Sequence, residues 1–158
     1  MPKVTTIHHG ERVAKEGKIR LGCSAIIFDE SKTKALLTER ADNKQWCLPS
    51  GGVDSGETVE EACIREVYEE TRLNVCVTRL VGVYSDPNRM VEYPDGNKAH
   101  IIAISFEAKI IGGKLGLSDE TTDYGYFTIE EMNDLDMLLN HKERIIDALK
   151  NVKKAIIK

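Results

Sequence analysis

The chain predicts an α/β domain. Apolar segments at strand spacing recur from Ile19 onward, and the stretch from Thr58 to Thr71 has no Gly or Pro and reads as a helix. A second amphipathic helix closes the chain, with Leu138, Leu139, Ile145, Ile146, Leu149 and Val152 at helical spacing. At 158 residues, 41% hydrophobic and 30% charged, the composition suits one domain with its own core.

Residues 1–18 are polar and weakly patterned, and read as an extended arm or small hairpin that can pack on a partner subunit. The main domain then runs over 19–158. Ile19–Phe28 is a strand, 29–34 a turn and Ala35–Arg40 a second strand, so 19–40 reads as a hairpin. Trp46, the only tryptophan, either stacks on a base or packs against the glycine-rich loop that follows.

The helix opens at Ser55 or Thr58, and Glu61, three residues after Thr58, completes a capping box. Asn74–Tyr84 reads as a central strand. The turn-rich segment Ser85–Lys98 contains Pro94-Asp95-Gly96 and forms either a lid over a substrate or a solvated hairpin. Asp86, Arg89 and Tyr93 are its candidate specificity residues. Ala99–Ile111 and Thr122–Thr128 are further strands, and Gly112-Gly113 marks a turn. Ile129–Met132 opens a short helical piece and Asp136–Lys153 is the closing helix. His141 on that helix reads as a surface residue, and the Lys-rich end at 150–158 as a helix terminus.

The chemistry concentrates on the first helix. Glu66 and Glu70 share one face, with Glu69 beside them. Each like-charge pair at i,i+3 or i,i+4 costs roughly 0.2–0.5 kcal/mol. The pairs also lie toward the C-terminal half, where the helix dipole disfavours anions. Arg65 relieves Glu61 or Glu69 but cannot neutralise the cluster. A hard divalent cation can, and Mg²⁺ shares its coordination among carboxylates, water and phosphates. No phosphate-cradling Gly-Lys loop, Gly-x-Ser-x-Gly elbow or His-Glu-x-x-His pair occurs.

Gly51, Glu57, Arg65, Glu66, Val67, Glu69, Glu70 and Leu73 stand at fixed spacing over 23 residues. That spacing resembles the Nudix hydrolase signature, and the Trp46-Cys47-Leu48-Pro49 lead-in and the Tyr126-Phe127 ending extend the likeness over most of 19–150. Arg72 departs from the pattern, since the family has Gly there, and Ser50 replaces another common Gly. Either Arg72 takes the left-handed position itself or Asn74 takes over part of the turn.

The resemblance implies a mixed sheet sandwiched between helices. It implies hydrolysis of a nucleoside diphosphate linked to a group X, with Mg²⁺ or Mn²⁺ as cofactor; ADP-ribose, a nucleotide sugar or a nucleoside triphosphate all fit. Glu66 and Glu70 would be the principal metal ligands, Glu69 a further one, and the Ser50 backbone carbonyl another. Glu57 and Arg65, with Gly51, would brace the loop against the helix. The general base would be Glu66 or Glu69, or Glu120 from the later Asp119-Glu120 loop. Arg40 would face the substrate. The alternatives are a module of the same fold that senses a nucleotide metabolite without turnover, and an enzyme that removes the cap from RNA. Homodimers are common among similar proteins.

The net charge of −4 and absence of a dense basic patch argue against binding to nucleic-acid duplexes. No apolar run approaches the roughly 18 residues of a membrane span, and the N-terminus lacks an apolar signal core, so the expected location is cytoplasmic. Cys23, Cys47, Cys63 and Cys76 form no Cys-x-x-Cys pair and read as buried free thiols.

Overall fold

The computed structural model describes residues 5–158. The described residues fold into a seven-stranded mixed sheet, a three-stranded antiparallel sheet and three α-helices. The strands are β1 (Thr6–His9), β2 (Lys18–Ile26), β3 (Ala35–Arg40), β4 (Trp46–Cys47), β5 (Ser50–Gly52), β6 (Leu73–Tyr84), β7 (Arg89–Glu92), β8 (Lys98–Gly113), β9 (Thr121–Phe127) and β10 (Ile156–Ile157). The helices are α1 (Val59–Thr71), α2 (Ile129–Met132) and α3 (Leu139–Leu149).

The central strand is β8. It runs parallel to β2 along one edge and antiparallel to β6 and β7 along the other. β6, expected at the centre, lies between β8 and the two-residue β10. Gly82 makes that last pairing possible, because a Cβ there would collide with the Ile156 carbonyl.

Side chains alternate across a strand, so β2 feeds two cores. Cys23, Ala25 and Ile27 pack with Ala62, Cys63 and Val67 of α1 on one face. Ile26 joins Val81, Leu37, Ile145 and Ala148 on the other, under α3. The result is the expected sandwich of helices around a mixed sheet.

Several local expectations give way to longer-range pairing. The 19–40 hairpin survives only as the Phe28–Ala35 bridge and its turn. Beyond it β2 enters the large sheet while β3 pairs with β4 and β9 in the small one. The segment 85–98 contains β7, which makes a hairpin with β8 closed by the expected 94–96 turn, rather than a free lid. Near the N-terminus, Thr6–His9 is extended and pairs antiparallel with β7; residues 1–4 lie outside the described part. α3 is shorter than its apolar pattern, ending at Leu149, and the tail turns back to add β10 beside β6. Trp46 meets the edge of Phe127 at 5.1 Å and packs against the second core. The four cysteines are free, and three of them are buried.

Candidate active site

Caps at both ends fix α1. Thr58 Oγ1 accepts the Glu61 N–H at 3.1 Å, and the Glu61 carboxylate accepts the Thr58 N–H at 3.0 Å. At the other end Arg72 itself adopts the left-handed conformation, φ 64°, and donates its N–H to the Tyr68 carbonyl at 2.8 Å. Its guanidinium lies 5.6 Å from the Tyr68 ring centroid.

Held this way, α1 presents Glu66 and Glu70 to β5. Gly51 is required by close approach, since a Cβ would overlap the Glu66 carboxylate. Glu70 is 8% exposed and accepts the Ser50 N–H at 3.3 Å. Ser50 thus touches Glu70 through its backbone donor.

Arg65 ties the loop to the helix. Its guanidinium donates to Glu57 at 2.7 and 3.1 Å, to Glu66 at 2.9 Å, to the Gly52 carbonyl at 3.0 Å and to Glu69 at 3.3 Å. Glu57 also accepts the Asp54 N–H at 2.7 Å. The Arg65 hydrogen bonds, with that N–H, hold Glu57 down to a pKa of about 2.

Glu70 has the opposite environment. Burial first, then the charges of Glu66 and Glu120, push its pKa up to about 8, against the pull of the Ser50 N–H. Glu66 is raised by burial in spite of Arg65, with Glu69 and Glu120 adding to the rise. Glu120 therefore acts on both. Its loop is fastened in place: its carbonyl accepts the Ala41 N–H at 3.0 Å, and Thr121 Oγ1 donates to the Glu70 carbonyl at 3.1 Å.

These carboxylates suit a divalent cation by charge. Among the described residues no three of them are drawn around one point. Mutual repulsion and the grip of Arg65 on Glu66 and Glu69 account for that spread.

A cavity of about 260 Å³ opens beside Ser50, Gly51 and Gly52. Arg40, Arg89 and Tyr93 line it, as their candidate roles require, and Arg40 is also paired with Asp42 at 2.8 Å. Asp86 lines a neighbouring cavity that shares Arg89. Two residues of this wall went unread in the sequence, and a third was misplaced. Arg20 lies 5.0 Å from the Tyr93 ring centroid and lines the same cavity. Arg144 is buried at its wall. His141 is also buried, not a surface residue, and accepts the Leu48 N–H through Nδ1 at 3.1 Å. Burial, with Arg144, Arg89 and Arg40 nearby, holds its pKa well below the ordinary imidazole value. The signal was present: His141, Arg144, Ile145 and Ala148 recur at i, i+3, i+4 and i+7, the buried stripe of α3.

The NUDIX domain family model matches residues 18–149, most of the chain. The chain belongs to the NUDIX family. An ADP-ribose pyrophosphatase of Methanocaldococcus jannaschii is 39% identical over 120 residues, a match covering 74% of this chain and 66% of that protein. The nucleoside triphosphatase NudI of Escherichia coli is 33% identical over 110 residues, covering 65% of this chain and 78% of the other. The MutT protein of Methanosarcina mazei superposes with a TM-score of 0.70 at 23% identity, covering 88% of this chain and 99% of its own. That last likeness is one of fold. The NUDIX signature here runs through β5 and α1, with Arg72 in place of the usual Gly yet in the backbone conformation that Gly would take.

Proposed function

We propose that this NUDIX protein is a pyrophosphohydrolase that uses Mg²⁺ or Mn²⁺ to cleave a nucleoside diphosphate linked to a group X. The observation that carries the reading is the pair Glu66 and Glu70, with the charge of Glu120 acting on both, set against an arginine-lined cavity across Gly51. Negative charge for a cation and positive charge for phosphates lie side by side. The matched relatives' names support two substrate types, ADP-ribose and nucleoside triphosphates.

Glu66 and Glu70 would hold the metal, with Glu69 and the Ser50 backbone assisting. The bound cation would neutralise the diphosphate and favour ionisation of the attacking water. Glu120 accepts the proton from that water as its oxygen bonds to phosphorus and the bond from phosphorus to the bridging oxygen breaks. Glu66 or Glu69 serves in its place if Glu120 only adds charge. Arg65 and Glu57 keep the loop at a fixed distance from the helix. Arg40 orients the phosphates, and Arg89 and Tyr93 the remainder of the substrate.

The test is Mg²⁺-dependent hydrolysis across ADP-ribose, nucleotide sugars and nucleoside triphosphates, with Glu70→Gln as control. Turnover of one class, reduced at least ~100-fold in the variant, is the expected result. Folded, metal-binding protein with no turnover on any of them would instead indicate a module that senses nucleotides. Glu120→Gln should lower kcat with little change in KM.

A further inference from the structure

The cavity that begins at Ser50 and Gly51 ends against two guanidiniums, Arg89 and Arg144, that it shares with the neighbouring cavity. Arg144 is 5% exposed. One of its terminal nitrogens donates to Ser24 Oγ at 3.1 Å, and its guanidinium lies 5.4 Å from the Tyr84 ring centroid. Its Nε has no hydrogen-bond partner among the described residues. Arg89 is half-buried on β7.

The two positive charges oppose each other. Burial first, then Arg89, draws the Arg144 pKa down to about 10. The charge of Asp86 acts on Arg89, but among the described residues no carboxylate makes an ion pair with either guanidinium. Asp147 accepts from Tyr84 Oη at 2.8 Å and from Lys150 at 3.1 Å, Glu143 pairs with Lys158 at 2.7 Å, and Asp86 accepts the Asn88 N–H at 2.9 Å. A buried and a half-buried like charge beside an unpaired buried donor are costly, and an anion near them would supply both the missing charge and an acceptor.

We propose that Arg89 and Arg144 form a second anion-binding subsite, which takes a phosphate or carboxylate carried by the substrate's X group, away from the diphosphate at Glu66 and Glu70. The inference rests on the pyrophosphohydrolase reading for its substrate, but not for its anion. A neutral X group would bury the two arginines without a partner. A charged one turns the same feature into selectivity.

The anion is tested on metal-free protein in chelator, titrated with inorganic phosphate by calorimetry and by the arginine Nε resonances in NMR. The expected result is one saturable site that moves the Arg144 Nε signal. Arg89→Gln should weaken it about tenfold, since a charge-assisted bond is lost, while Glu70→Gln leaves it unchanged. Arg89 is the variant of choice because it is less buried than Arg144, and a thermal melt checks that the variant is folded. No saturation, or undiminished affinity in folded Arg89→Gln, overturns the proposal.

The substrate is tested by KM for nucleoside diphosphates linked to a plain hexose, a hexuronic acid and a phosphorylated hexose. The charged compounds should show a KM about tenfold lower, with the advantage gone in Arg89→Gln; which of the two gains more separates carboxylate from phosphate. Equal KM values across all three, with hydrolysis lost in Glu70→Gln, leave the pyrophosphohydrolase standing and remove the second subsite. Phosphate binding at Arg89 and Arg144 with no hydrolysis of any compound does the reverse.

Discussion

Glu70 joins burial to charge more sharply than any other group beside the NUDIX loop. It is 8% exposed, faces two other carboxylates and has a pKa of about 8, against an ordinary value of 4.5. The native state therefore holds a proton on Glu70 between those pH values, whereas the unfolded chain does not. Stability from this group is full below pH 4.5 and is lost as pH rises through 8. In chelator, Glu70→Gln should thus equal the wild type at low pH and exceed it above pH 8, by as much as about 5 kcal/mol. Added Mg²⁺ should reverse the order at high pH, because it stabilises only the carboxylate. Urea unfolding across pH, with and without Mg²⁺, reads both effects. A difference between variant and wild type that ignores pH would mean that Glu70 titrates alike in the native and unfolded states.

At the scale of elements, α1 was legible and α3 less so, for one reason. Caps are local chemistry, so Thr58, Glu61 and the left-handed residue at 72 can be read from neighbours in sequence. Arg144 and His141 are buried against β2 and the Leu48 segment, and polar residues in a buried stripe look like its solvent edge until those partners are known. Arg72 shows how small terms balance. The left-handed conformation costs a non-Gly residue about 1–2 kcal/mol. Gly would relieve that but adds about 0.4–1 kcal/mol of unfolded-state entropy and forfeits a cation–π contact of about 0.5–1 kcal/mol. Arg72→Gly should therefore stay within about 1 kcal/mol of wild type and keep its activity, whereas Arg72→Ala retains the strain, loses the contact and falls by about 0.5–1 kcal/mol. Urea midpoints of the two variants decide it. A total loss of activity in Arg72→Gly would give the side chain a direct role with phosphate.

Across the whole molecule, the sequence pattern reveals which segments extend but not which sheet receives them. β2 and β3 adjoin in sequence and part into different sheets, and β7 finds most of its pairing with β1, some eighty residues earlier. That pairing governs the cavity. β7 shares two residue pairs with β8 and four with β1, whose His9 stands opposite Arg89. Ile7 lines the cavity itself, and Met90 and Val91 are buried. A chain lacking residues 1–10 would leave β7 as an edge strand held by the shorter ladder, free to shift Arg89, while β5, α1 and Glu70 keep their mutual contacts. The expected result is a lower melting temperature and a KM raised at least ~10-fold with kcat within ~3-fold, since binding is disturbed and the reacting carboxylates are not. A fall in kcat at unchanged KM would place β1 in support of the chemistry rather than of the substrate wall.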